Sequence, residues 1–268
     1  MNSVFAERIK ATELPAWLLS RGITSVTTDE IAALINVPVN QVPQRMASLK
    51  KRNEIVLLSS GLWAPIPPEY MTWGAPPAIE FIDSMMRHMG ADYYIGWLSA
   101  AELLGASHHA PQVFQVAVNR SIRTRIIGRS KLLFYHRDHV HLVDTIKIET
   151  KSGFVTASSR ETTMLDIVSD IGLAGGVDNV ANLITELCET PPDIMVLTAL
   201  AEYYPASAIR RLGFILERFT DCEDIERLRF ISDNRKASDS FLDPQSKNTG
   251  AVDANWRLKI NREVDPDV

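Results

Sequence analysis

The sequence predicts an α+β protein: an N-terminal winged helix-turn-helix, then a larger α/β domain with a mostly antiparallel sheet and a helical C-terminal part. Three observations lead there. Residues 27–67 read TTDEIAALINVPVNQVPQRMASLKKRNEIVLLSSGLWAPIP, which is helix, turn, helix and hairpin. Residues 113–158 fall into short runs of Val, Ile and Phe interleaved with polar residues, the strand pattern. After 158 the apolar spacing changes to the three-and-four pattern of helices.

The first helix is expected over residues 3–20, with Val4, Ile9, Leu14, Trp17 and Leu18 as its stripe. Pro15 should bend it and Gly22 end it. Thr27 or Thr28 can cap the second helix, with Asp29 and Glu30 in its positive first turn. Ile31, Leu34 and Ile35 face inward, and Asn36-Val37-Pro38 makes the turn. The third helix runs from about Val39 to Arg52, with Val42, Met46 and Leu49 on one apolar face. That leaves Asn40, Gln41, Gln44, Arg45, Ser48, Lys51 and Arg52 on the other. Asn, Gln and Arg can hydrogen-bond base edges, and Lys and Arg can contact phosphates. These residues are the candidate DNA-binding set; the alternative is a solvated face with no DNA contact. Residues 54–58 and 62–64 form the hairpin, with Ser59-Ser60-Gly61 at its tip. Pro65, Pro67 and Pro68, then Pro76 and Pro77, mark a boundary. The expected domains are 1–67, DNA-binding, and 68–268.

Beyond the prolines, 78–89 reads as a helix. A short helix over 99–104 should open with a Ser99/Glu102 capping box. Runs 113–118, 122–127, 131–137, 141–150 and 154–158 predict four or five strands. Ser158 and Glu161 offer a second capping box. Gly175-Gly176, Pro191-Pro192-Asp193 and Pro205 then punctuate a series of helices. Residues 232–254 read as a polar loop and 255–260 as a last strand.

Charge is uneven. The chain of 268 residues carries −5 overall, but residues 1–65 come to +2, 66–118 to −4, 119–137 to +6 and 138–268 to −9. The whole chain therefore does not coat nucleic acid, although one segment has the sign to meet phosphates. It carries Arg120, Arg123, Arg125, Arg129, Lys131 and Arg137 and contains no acidic residue. They read either as a cationic sheet edge that discourages strand pairing or as an anion contact. Cys188 and Cys222 lack metal or disulfide spacing, which fits a reducing cytoplasm. MNSVFAERIK has no apolar core, so no signal peptide is expected, and no apolar run is long enough to span a membrane.

Catalytic signatures are absent: no glycine-rich phosphate loop, nucleophile elbow or metal-binding helix motif. His136, His139 and His141 lie around a turn, and a metal there would need Asp138 or Asp144 as a further ligand. His108-His109 is a loop pair. Asp166 and Asp170, four apart on a predicted helix, read as a solvated face or, alternatively, a catalytic pair. No catalytic residue, metal or cofactor is expected.

Four segments together resemble the AbiEi-type antitoxins of bacterial abortive-infection, type IV toxin–antitoxin systems. They are the hairpin ending in GLWAP (61–65), YYIGWLSAAELLGASHHAPQVFQVAV (93–118), SSRETTMLDIVSD (158–170) and RRLGFILER (210–218). The resemblance implies a cytoplasmic phage-defence protein whose winged helix represses its own operon at inverted repeats. It implies a C-terminal domain that counteracts a partner nucleotidyltransferase toxin without a stable complex. A monomer in solution with two copies on DNA suits the modest charge of the head. Arg120, Arg123, Arg125, Arg129 and Lys131 then become a second nucleic-acid surface or part of the antitoxin face. A ligand-responsive transcriptional regulator, or a nucleic-acid-acting enzyme with a DNA-targeting head, stays open as an alternative.

Overall fold

The computed structural model describes residues 8–106, 112–235 and 237–266. Val4 and the pair His108-His109 lie outside them. The first helix is shorter than expected: α1 spans Leu14–Ser20, after a 3-10 turn at Ala11–Glu13. Pro15 starts this helix rather than bending it, because a residue in the first turn needs no amide hydrogen. Ile9 is not helical, and its amide donates to the Leu34 carbonyl at 3.0 Å.

A two-residue strand, β1 (Val26–Thr27), leads into α2 (Thr28–Ile35). Thr27 caps it reciprocally: its hydroxyl accepts from the Glu30 amide, and the Glu30 carboxylate accepts from the Thr27 amide at 2.8 Å. Asn36 stops it at φ 52°, the left-handed region that Asn tolerates. A 3-10 turn at Val39–Gln41 precedes α3 (Val42–Lys51), with Pro43 in the first helical turn. The hairpin follows as β2 (Ile55–Ser59) and β3 (Leu62–Pro65), and β1 adds a third strand beside β3. Successive strand residues face opposite ways, and both faces of this hairpin are covered. Ile55 and Trp63 join Leu14, Leu18, Ile31, Leu34, Val42, Met46 and Leu49 in one core. Val56, Leu58, Leu62 and Ala64 join a second core with Phe81, Ile82, Met85 and Met86 of α4 (Ala78–Met89).

The main sheet has six strands, ordered β6-β7-β5-β4-β9-β8. They are β4 (Tyr93–Ile95), β5 (Phe114–Val118), β6 (Arg125–Ile127), β7 (Ser130–His136), β8 (Thr145–Thr150) and β9 (Gly153–Ser158). The five expected strands are all present and β4 adds a sixth; three of the five pairings are antiparallel, as expected, while β4–β9 and β5–β7 are parallel. Local alternation sets the face of a residue, not its partner, so the two long-range parallel pairings left no local trace. Residues 137–144 lie outside any strand, so the strand expected from 141 starts only at Thr145.

This sheet is a middle layer. Ile95, Val116, Val118, Leu132, Val155 and Ala157 meet α4 and the hairpin. Tyr94 and Ala117 meet the helices on the other side. Those are α5 (Trp97–Leu103), α6 (Arg160–Ser169), α7 (Val177–Leu187), α8 (Ile194–Leu200), α9 (Ala206–Phe219) and α10 (Glu226–Asn234). Both capping-box expectations here fail. Gly96, not Ser99, precedes α5, and the Ser99 hydroxyl accepts the Gln115 amide at 2.9 Å. Ser159, not Ser158, caps α6. Helix α10 was not anticipated, and 232–254 is more than a loop. Ser240–Phe241 (β10), Ala251–Asp253 (β11) and Leu258–Ile260 (β12) form a small third sheet.

Candidate nucleic-acid interface

Helix α3 presents the face its spacing predicts. Val42, Met46 and Leu49 are buried, while Asn40, Gln41, Gln44, Arg45, Ser48, Lys51 and Arg52 are all exposed. Asn40 and Gln41 stand on the 3-10 turn that leads into the helix. Ala47 and Lys50 share the exposure and were not singled out; their offset from Met46 would have identified them.

Arg52 is the exception within the set. Its fork is engaged, with Nε on Glu54 Oε1 at 2.6 Å, Nη2 on Oε2 at 3.0 Å and Nη1 on the Ser48 hydroxyl at 2.8 Å. The pair holds the Glu54 carboxyl below its ordinary range and the guanidinium above its own. A phosphate would have to displace Glu54. Glu54→Ala should therefore strengthen DNA binding a few-fold, and gain in salt slope by about one counterion if Arg52 takes a phosphate. Anisotropy titrations over a salt series read this; an unchanged slope removes Arg52 from the interface.

The hairpin tip is docked. The Ser60 carbonyl lies 2.9 Å from His88 Nε2 at the end of α4, and the Thr28 amide donates to the Gly61 carbonyl at 2.9 Å. Trp63 Nε1 donates to the Thr28 hydroxyl at 3.0 Å, tying β3 to α2.

The basic segment divides. Arg137 turns under the sheet, where its guanidinium pairs with Asp170 and lies 5.2 Å from the Trp97 ring. Arg120 donates to the Met89 carbonyl at 2.9 Å. Arg125 is half-buried, with an enclosed Nε. Arg123, Arg129 and Lys131 are exposed, and their side chains form no ion pair or hydrogen bond among the described residues.

Asp166 and Asp170 are not a solvated face. Asp166 is wholly buried, accepting from the Tyr204 hydroxyl at 2.8 Å and the Tyr94 hydroxyl at 3.3 Å. Burial raises its carboxyl to about 7, against the pull of Arg137 and the two tyrosines. The same burial holds both tyrosines well above their ordinary value. Asp170 accepts from Trp97 Nε1 at 3.1 Å as well as from Arg137. Gly96 makes this centre fit, since a Cβ there would stand 3.0 Å from the Tyr94 ring and 3.3 Å from Asp166 Oδ2. His139 packs beside Tyr204 with ring centres 5.3 Å apart, and burial and Arg137 lower its pKa. Enclosed in this way, Asp166 cannot touch a substrate and serves as the polar keystone between sheet and helices. Among the described residues no group of three His, Cys, Asp or Glu side chains could hold a metal ion.

The RRLGFILER segment is likewise internal. Arg210 donates to the carbonyls of Ser238 and Ala237, and Arg211 to those of Phe241 and Val168. Gly213 faces the Trp256 ring. Arg210 and Arg211 therefore turn inward, toward the C-terminal segment and α6, while Arg218 stays exposed.

A mixed six-stranded sheet, backed by helices on one side and by a helix and hairpin on the other, thus carries an exposed polar helix at one end. Residues 94–218 match the family model for the AbiEi antitoxin C-terminal domain, so the body of this chain carries an AbiEi-type antitoxin domain. The match holds three of the four resembling segments nearly whole. Among solved structures, the crystal structure of the RV2827C protein from Mycobacterium tuberculosis is similar in fold, with TM-score 0.69 and 15% identity, covering 95% of this chain and 93% of that one. An antigenic nucleotidyltransferase-like protein from Paracoccidioides brasiliensis aligns with TM-score 0.33 and 12% identity over 60% of this chain and 99% of that one, too loosely to inform the reading. No curated protein matches. No helix among the described residues is long and apolar enough to cross a membrane.

Proposed function

We propose that this protein is the antitoxin of a type IV toxin–antitoxin pair, opposing a nucleotidyltransferase toxin and repressing its own operon. The observation that carries the reading is the junction of an AbiEi antitoxin domain to a helix whose exposed face is Gln, Arg, Ser and Lys. In this reading α2, α3 and the β2–β3 hairpin are a winged helix-turn-helix. Helix α3 enters the major groove with Gln41, Gln44, Arg45 and Ser48 toward bases, and Lys51 meets a phosphate. The functional division falls near residue 67. The chain is cytoplasmic, and two copies occupy an inverted repeat. The docked tip supports a rigid presentation of α3, with the hairpin as its backing.

Lys51→Ala should weaken binding to the DNA upstream of the gene by a similar factor across sequences, and reduce the salt slope by about one. Gel shift and anisotropy at several salt concentrations measure both. Equal affinity and slope would sink the α3 assignment. Co-expression of the full chain with the adjacent gene product tests the antitoxin role: growth rescue is expected, and continued growth arrest contradicts it.

A further inference from the structure

A cleft of about 630 Å³ lies where the Trp73 segment, the start of α4, α5 and the turn between β6 and β7 meet. Its volume falls within the roughly 300–1,000 Å³ of small-ligand sites. Trp73 is 47% exposed at its rim and stands outside the second core that takes in its neighbours Tyr70 and Met71. Arg129 and Lys131 line the same cleft with side chains that have no partner among the described residues, and Phe114 and Leu103 form its apolar wall.

The juxtaposition is built into the backbone. The Arg129 amide donates to the Trp73 carbonyl at 2.9 Å. Gly128, at φ +56°, passes so close that a Cβ would stand 2.4 Å from that carbonyl oxygen. The turn bearing the two cations is thus pinned against the tryptophan. Beyond it, Ile126 sits directly across from Lys131 on the same face of the edge pair and is 74% exposed.

We propose that this cleft binds single-stranded nucleic acid, with one base stacked on Trp73 and the flanking phosphates against Arg129 and Lys131. An exposed indole beside two exposed cations matches the two demands of a single strand, a π-face for each base and positive charge along the backbone. A duplex offers the charge but keeps its base faces stacked and out of reach. Glu102, which also lines the cleft, has the acceptors to take a base amine or a sugar hydroxyl. No α3 residue lines the cleft, so the inference stands whether or not α3 reads an operator.

The test is fluorescence anisotropy of the full-length chain with labelled ten-nucleotide oligo(U) and oligo(dT), a blunt non-operator duplex, and nucleoside monophosphates as competitors. Preferential binding of a single strand is expected. Trp73→Ala should cost roughly 5- to 150-fold, the effect of losing one stacked base at about 1–3 kcal/mol, while Trp73→Phe should keep most of the affinity. Arg129→Ala with Lys131→Ala should lower the salt slope by about 1.4. Circular dichroism melts, run on every variant, report whether the fold persists. The proposal is overturned if single strands do not bind, if Trp73→Ala leaves their binding unchanged, or if the duplex binds as tightly. It is also overturned if a mononucleotide competes as well as the strand, which would assign the cleft to a free nucleotide.

Discussion

A Gly213→Leu chain is expected to melt well below the parent, or to be recovered unfolded. On α9 a Cβ at this position would stand 2.0 Å from the Trp256 ring. The ring cannot yield cheaply, because Trp256 is fully buried, its Nε1 donates to Glu217 at 2.5 Å, and Arg229 lies 5.3 Å from the ring. Overpacking of this kind costs about 1–3 kcal/mol or more, and at this chain length each kcal/mol lowers Tm by about 2–4 °C. Gly213→Ala should already be harmful, and a second change, Trp256→Leu, should restore part of the loss. A thermal melt followed by circular dichroism decides it: an unchanged Tm in both single variants would mean that the helix and the ring can part without cost.

The stability of the protein should fall as pH rises from about 4 to about 7, through Asp166. The native carboxyl titrates near 7, while its ordinary value is 3.8. Because the folded pKa is the higher, the folded state holds the proton more tightly. The resulting stability is fully present below the unfolded pKa, is lost as pH climbs through the folded one, and changes no further above it. The full difference is on the order of 2–4 kcal/mol. Asp166→Asn keeps an acceptor for Tyr94 and Tyr204 but cannot ionise. The difference in unfolding free energy between parent and variant, measured by denaturant titration at steps from pH 4 to 8, should slope in favour of Asn as pH rises. A flat difference would show that Asp166 folds with its charge.

Legibility in the sequence followed distance along the chain. A threonine cap at 27 or 28, the Val42/Met46/Leu49 face and the bounds of α4 came from neighbours a few residues apart, and the structure has all three, with Thr27 as the cap. The burial of Asp166 was invisible because its tyrosines stand 72 and 38 residues away. Arg137 looked like one more surface cation until Asp170, 33 residues on, claimed it. Strands β1 and β4, of two and three residues, are too short to show alternation. Helix α10 buries only Leu228 and Ser232, so it carries almost no apolar stripe. Of the candidate DNA set, the sequence located the exposed face but not the internal engagement of Arg52. Trp73 went unnoticed because nothing in its own surroundings announces that a turn some 55 residues later brings two cations beside it.

The β2–β3 hairpin belongs to two cores at once, with Ile55 and Trp63 in one and Val56 and Leu58 in the other. It is a party wall. Local opening of either side strips a face from the same two strands, so helix α3 and the sheet-and-helix body share their exposure to proteases. A single protease cut that follows such an opening removes support from both sides at once.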